Sequence, residues 1–131
     1  MKIVTLTTSM LGADFEHRLL TINNIPTRYC ELALMEIDFT LTEPAIGQYL
    51  FVYCDIIHPH LLGDTLAHLL RVIPLTPGDV THNWIAANPY YFPVSKDVVD
   101  SVCLYLRDEF GEPINIISRS LQATFNIRKR L

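Results

Sequence analysis

The stretch at residues 48–57 decides the fold class, because it reads Gln48-Tyr49-Leu50-Phe51-Val52-Tyr53-Cys54-Asp55-Ile56-Ile57. Aromatic and β-branched residues crowd this run, and it holds no glycine or proline. A continuous apolar run of this kind is typical of a strand that is covered on both faces. The stretch therefore predicts a central strand in a layered β protein.

Similar runs recur along the chain, and turns marked by proline or glycine separate them. They predict about nine to ten short strands, over residues 2–8, 15–22, 28–41, 48–57, 65–75, 80–86, 90–94, 98–107, 113–118 and 122–128. A helix is the rival interpretation within 28–41, where residues 31–36 are good helix formers. The period-two alternation of 37–42 favours a strand there.

The spacing of these strands predicts an all-β fold, an antiparallel β-sandwich that is jelly-roll-like, with under about a tenth of the residues in helix. The chain has 131 residues, 50% of them hydrophobic and 18% charged, which suits one sandwich domain over 1–131. No apolar run is long enough to span a membrane, and the first residues lack the layout of a signal peptide.

The charge balance bears on partners. Ten Lys and Arg residues face fourteen Asp and Glu residues, for a net charge of −4. This balance argues against nucleic-acid binding through a broad basic surface. Three of the basic residues, Arg128, Lys129 and Arg130, form a basic tail within the last four positions. The tail has two interpretations, a contact with an acidic partner or nucleic acid, and a solvated, frayed terminus.

Three cysteines, Cys30, Cys54 and Cys103, are widely spaced in apolar runs, and no two of them form a C-x-x-C pair. The odd number favours reduced thiols. We expect all three to be buried as small hydrophobic side chains.

Four polar residues, Asp55, Asp64, His68 and Arg71, are embedded in apolar sequence. Such groups must be paired if they are buried. We predict a structural role for Asp55, Asp64 and Arg71, in which one carboxylate pairs with Arg71 or caps the loop at 61–65.

Two histidines are the candidate for catalytic chemistry. His58 and His60 have the H-x-H spacing of two metal ligands, and Asp55 or Asp64 would have to turn inward as a third, but a structural zinc site requires four ligands. The sequence carries no nucleophile-elbow, metalloprotease or phosphate-loop motif. We therefore expect neither an enzyme nor a cofactor, with a small metal-dependent enzyme as the second alternative.

The apolar fraction points to self-association, because a chain this small cannot hide all of its apolar surface in one core. We predict a homo-oligomer, a trimer in preference to a pentamer. The candidate interface residues are Leu61, Leu62, Leu66, Leu69, Trp84, Tyr90, Tyr91 and Phe92. The aromatic residues among them have a second interpretation, as the end of the sandwich core.

Two blocks of sequence carry a family resemblance. Residues 53–71 read Y-C-D-I-I-H-P-H-L-L-G-D-T-L-A-H-L-L-R, and residues 108–114 read D-E-F-G-E-P-I. They resemble the Y-C-D-I-I-x-P-x-x-V-G-D-T-x-x-x-L-L-R and D-x-x-G-x-x-I blocks of a structural, capsid-associated protein family. That family is encoded by Polinton/Maverick elements and by adintovirus- and adenovirus-like DNA viruses. Leu62 stands where the family pattern has Val.

The resemblance implies a virion component that is assembled in the host cytoplasm or nucleus, with other capsid proteins as partners and no catalytic residues to carry over. The first alternative is a non-catalytic module of the same fold that binds a ligand or host factor through the region of Trp84 and Tyr90–Phe92.

Overall fold

The computed structural model describes residues 2–11, 16–117 and 120–130, and it describes side chains from Ile25 onward. These residues form eleven strands and no helix. The strands are β1 (Lys2–Leu11), β2 (Glu16–Pro26), β3 (Cys30–Thr40), β4 (Tyr49–Cys54), β5 (His60–Leu62), β6 (Thr65–Ala67), β7 (Leu69–Pro74), β8 (Thr81–Ile85), β9 (Phe92–Pro93), β10 (Val98–Arg107) and β11 (Gln122–Lys129).

The strands form an antiparallel β-sandwich, as the sequence predicts. One layer has the order β7-β4-β10-β2, and the other has β11-β3-β8, with β9 beside β3. Strand β1 joins the layers, because residues 2–7 pair with β11 and residues 8–11 pair with β2. The register of β1 shifts between Thr8 and Met10, where the strand passes from one layer to the other.

The eight long strands pair in a nested order. The first pairs with the last (β1 with β11), the second with the seventh (β2 with β10), the third with the sixth (β3 with β8) and the fourth with the fifth (β4 with β7). The chain is therefore equivalent to one long antiparallel hairpin, four strands in each arm, that is rolled into two layers.

One hydrophobic core lies between the layers, and both supply it. Leu50 and Leu104 come from the layer of β4 and β10, and Leu32, Phe39 and Phe125 come from β3 and β11; all are almost completely buried. The predicted central strand at 48–57 is confirmed, although its regular part ends at Cys54.

A bulge explains why β3 is ambiguous in sequence. Leu34 faces Phe125 and Glu36 faces Thr124, so Met35 is an extra residue without a partner on β11. A bulge of this kind reverses the side-chain alternation. As a result Leu32 and Leu34 point into the core before it, and Ile37 and Phe39 do so after it. The predicted strand is correct, and the rival helix is wrong.

Several predicted strands differ from the structure: the strand 90–94 is reduced to β9, and β5 lies where no strand is predicted. Within 113–117 the chain makes only isolated bridges, Arg107 to Pro113 and Leu41 to Ile116, and Ser118 lies outside the described residues. The predicted strand 65–75 is two strands, β6 and β7, with His68 between them. No helix of the described residues is long and apolar enough to cross a membrane.

Asp55 directly follows β4 and connects it to β10, its neighbour in the layer. Its backbone N–H donates to the carbonyl of Cys103 at 3.2 Å, and its Oδ1 accepts the Cys103 N–H at 2.9 Å. The carboxylate therefore satisfies a strand amide at the point where β4 turns away.

We predict that Asp55→Ala lowers the free energy of unfolding by about 1–2 kcal/mol, because it leaves the Cys103 amide without this acceptor. Urea unfolding would measure the change. Asp55→Asn keeps an acceptor oxygen and should cost less than half as much, and Asp64→Ala, at an exposed carboxylate, is the control. Equal losses for Asp55→Ala and Asp64→Ala would contradict the prediction.

Candidate functional site

A short hairpin stands apart from the main sheet and carries exposed leucines. Strands β5 and β6 pair only with each other among the described strands, and Leu61 lies opposite Leu66. The exposed fractions are 70% for Leu61, 64% for Leu66 and 42% for Leu62. We call these three residues the hairpin surface. Contiguous exposed apolar side chains mark interaction sites.

The hairpin turn is encoded locally. Gly63 has φ of 66°, and Leu62 pairs with Thr65 around the two-residue turn. A positive φ at the first turn residue alone is the pattern of a type II′ turn, which glycine adopts without strain. Asp64 is exposed beside this glycine, and its Oδ1 accepts a hydrogen bond from the Thr65 hydroxyl at 3.3 Å.

Two histidines hold the base of the hairpin. The His60 Nε2–H donates to the Leu69 carbonyl at 2.7 Å, and the His68 Nδ1–H donates to the Ile57 carbonyl at 2.8 Å. The His60 ring also stacks on Phe92, with centroids 4.8 Å apart. These contacts fix the hairpin against the sandwich, so its leucines are presented at a defined place.

Both histidines of the H-x-H segment make hydrogen bonds within the fold. His60 is engaged at the hairpin base, whereas His58 is exposed and its backbone N–H donates to the Pro93 carbonyl. In the described ranges, no three or more His, Cys, Asp or Glu side chains are grouped to hold a metal ion.

The two predicted roles of the carboxylates have different outcomes: the pairing with Arg71 is wrong, whereas Asp64 accepts a hydrogen bond within the loop at 61–65. Asp55 binds the Cys103 amide, and Asp64 lies at the exposed hairpin turn. Arg71 instead donates from Nη1 to the Asn88 carbonyl at 3.0 Å. Its guanidinium carbon lies 5.1 Å from the ring centroid of Trp84 and 5.0 Å from that of Tyr90.

The position of Arg71 gives this contact its role. Arg71 is on β7 and Trp84 is on β8, and these are the two ends of the strand path, one in each layer. The cation–π contact therefore connects the open edges of the two layers. A groove of about 330 Å³ runs beside it and is lined by His60, Val72, Tyr90 and Phe92.

The predicted interface residues fall into two groups in the structure, one exposed and one at least partly buried. The hairpin surface is exposed, and Tyr90 is 66% exposed at the groove. Trp84 and Phe92 are partly buried against the core, in line with the interpretation of the aromatic residues as the end of the sandwich core. The prediction of Leu69 as an interface residue is wrong, because its side chain is only 8% exposed and is not available for a surface contact.

The basic tail is ordered in its described part. Arg128 belongs to β11, where its Nε donates to Glu31 at 2.7 Å and its guanidinium lies 3.5 Å from the Tyr91 ring centroid. The Arg130 N–H donates to the Tyr29 carbonyl at 2.8 Å. The interpretation as a frayed terminus is therefore wrong for residues 128–130, while Lys129 and Arg130 keep exposed side chains.

All three cysteines are buried free thiols, as predicted. Burial raises the pKa of the Cys54 thiol to about 12, because the thiolate would lose its water. A backbone hydrogen bond at Ile56 lowers this pKa, and the nearby charge of Asp55 raises it.

The sequence alone did not reveal Arg71 as the contact between the layers. The available signal was an arginine among apolar residues together with one tryptophan and a run of aromatic residues downstream. Which of these meet depends on the pairing of β7 and β8 with other strands.

We predict that Arg71→Ala lowers the free energy of unfolding by about 1–2 kcal/mol, because it removes two ring contacts and a hydrogen bond. Trp84 is the single tryptophan, so its fluorescence reports the loss as a shift to longer wavelength. Tyr90→Phe keeps the ring and should change neither value, whereas Tyr90→Ala should lower stability. Unchanged stability and emission in Arg71→Ala would refute the contact.

We predict that Cys54 weakens the fold at alkaline pH. The unfolded thiol titrates near 8.5, whereas the native one titrates at about 12, so the unfolded state loses its proton first. The stabilisation by Cys54 is complete below about pH 8.5 and is lost as the pH rises toward 12. In Cys54→Ala, urea unfolding should show a smaller decrease between about pH 8 and pH 10.5. Parallel curves for the variant and the parent protein would exclude this effect.

Comparison of the sequence with protein-family models and with curated proteins found no match.

Proposed function

We propose that this chain is a structural protein of a virus particle, a jelly roll that assembles as a homo-oligomer in or on the capsid. The nested pairing of the eight long strands is the observation that carries the proposal. A hairpin rolled into two layers of four strands is the winding of a jelly roll, and viral capsid domains are a principal class of that fold.

The two sequence blocks that resemble the capsid-associated family support the same conclusion. In the structure, the block at 53–71 contains the Asp55 contact, the hairpin with its Gly63 turn, and Arg71. The block at 108–114 contains the turn in which Asp108 accepts the N–H groups of Phe110 and Glu112. The resemblance therefore lies in residues that shape this fold and its surface.

The hairpin surface supplies the contact for assembly. Leu61 and Leu66 form a cross-strand pair on a fixed hairpin, beside a groove that contains Tyr90 and Phe92. The centres of protein interfaces are poor in charged residues and rich in aromatic ones, as is the surface around Leu61, Leu66, Tyr90 and Phe92. A trimer is the preferred state, with a pentamer second, in a particle that contains other capsid proteins.

The second candidate function is a ligand- or host-factor-binding module of the same fold. The groove of about 330 Å³ beside Arg71, with Tyr90 and Phe92 in its lining, favours this candidate. A strict monomer in solution would suit this module and would contradict the assembly proposed above.

We predict a trimer mass of about 45 kDa by light scattering, three times the 15.0 kDa of the chain. Leu61→Asp/Leu66→Asp should reduce the mass to that of the monomer, because charge is costly in an apolar contact. Ile85→Asp is the control, since Ile85 is 65% exposed, close to the 64% of Leu66, on a different strand. A parent protein of 15.0 kDa would overturn the proposal.

A further inference from the structure

The charges of this protein are divided between the two ends of the sandwich. We define the basic end as residues 27–30, 95–98 and 128–130, and the acidic end as residues 41–48, 76–80 and 107–117. The basic end has five cationic side chains (Arg28, Lys96, Arg128, Lys129 and Arg130) against Asp97 alone. The acidic end has five carboxylates (Glu43, Asp79, Asp108, Glu109 and Glu112) against Arg107 alone.

Backbone hydrogen bonds assemble each end. At the basic end, the Thr27 N–H donates to the Asp97 carbonyl, and the Arg130 N–H donates to the Tyr29 carbonyl. At the acidic end, the Ala45 N–H donates to the Asp79 carbonyl, and the Thr42 N–H donates to the Asn115 carbonyl. Strand β3, with 11 residues, runs from one end to the other, so they lie about 35 Å apart.

A strained aromatic residue projects from the basic end. Tyr29 has φ of 59° and is 62% exposed, and the guanidinium of Arg28 lies 5.1 Å from its ring centroid. Among the described residues it is the one residue other than glycine with positive φ. Backbone strain of this kind is concentrated at functional sites.

A cavity with both apolar and polar lining opens at the acidic end. It has a volume of about 170 Å³, and Leu41, Ala45, Leu75 and Ile114 contribute to its lining together with the acids Glu43 and Asp108. A cavity of about 150 Å³ is large enough for benzene, so this one has room for an aromatic ring. Ile46 and Phe110, 95% and 80% exposed, are the most exposed large apolar side chains of the described residues, and both lie at this end.

We propose that the basic end of one copy binds the acidic end of a second copy, with Tyr29 entering the cavity between Glu43 and Asp108. The inference rests on the proposed function, since it adds a second contact to an assembling protein. Charge complementarity selects the occupant: the basic end has five cations, of which Arg128 is already paired with Glu31, and the acidic end has five carboxylates. Each end also exposes apolar surface, Tyr29 at the first and Ile46 and Phe110 at the second. The contact joins different surfaces, so it repeats from copy to copy.

This contact differs from the hairpin contact in its response to salt. Exposed charge pairs are screened as ionic strength rises, whereas an apolar contact is not. Sedimentation velocity at about 50 mM and about 500 mM salt therefore separates the two. At low salt we expect species larger than the oligomer formed through the hairpin surface, and at high salt that oligomer alone.

Charge reversal tests the two ends. The basic-end variant is Lys129→Glu/Arg130→Glu, and the acidic-end variant is Glu43→Lys/Glu112→Lys; all four side chains are exposed. Each variant alone should lose the salt-sensitive species. An equimolar mixture should regain salt-sensitive species, because the unchanged acidic end of the first variant then meets the unchanged basic end of the second. Tyr29→Ser should weaken the association without altering its salt dependence, and Glu36→Lys, midway along β3, should leave it unchanged.

The outcomes separate this inference from the function on which it rests. A monomeric parent protein at both salt concentrations would refute the proposed assembly itself. A salt-resistant oligomer that shows no larger species at low salt, or a mixture that fails to regain them, would refute the end-to-end contact alone. Binding of a single-stranded oligonucleotide that the basic-end variant loses, with no self-association of the parent, would assign the basic end to nucleic acid instead.

Discussion

The cation–π contact of Arg71 joins the two layers of the sandwich at the edge where no backbone pairing connects them. Rolling a hairpin into two layers leaves two strands, β7 and β8, whose outer edges have no partner in the path. Arg71 from one edge lies against Trp84 from the other, and Tyr90 packs on the same guanidinium. A planar cation that contacts rings and also donates a hydrogen bond suits this position better than lysine. The groove and the base of the hairpin are built around this contact.

The sequence predicts a strand best where a clear apolar run is bounded by turns. Strand β10 has the predicted bounds, because its apolar run at 102–106 is unbroken and turns stand on either side. Strand β3 was ambiguous because the bulge at Met35 moves the core-facing residues from even-numbered to odd-numbered positions. The segment 113–117 has strand-like residues but lacks a continuous partner, and residue preference cannot report a missing neighbour.

The candidate site divides in the same way. The exposed hairpin leucines follow from local sequence, since Gly63 sets the turn and a two-stranded ribbon leaves its faces open. The partners of Arg71 do not follow, because they come from strands in the other layer and from the loop after β8. Leu69, two residues beyond the hairpin, pairs with Tyr53 of β4, and its burial also depends on residues outside the hairpin. Long-range packing decided each prediction that failed.

The pairing of β1 with β11 has a consequence for synthesis on the ribosome. Residues of β1 cannot meet β11 until residues 122–129 have emerged, and β3 also needs β11 as a neighbour. Contacts between such distant residues close slowly, and strand edges stay open while they wait. Completion of the sandwich is thus a late event in folding. Copies with both layers formed arise only once β11 has paired, which orders folding before any association between them.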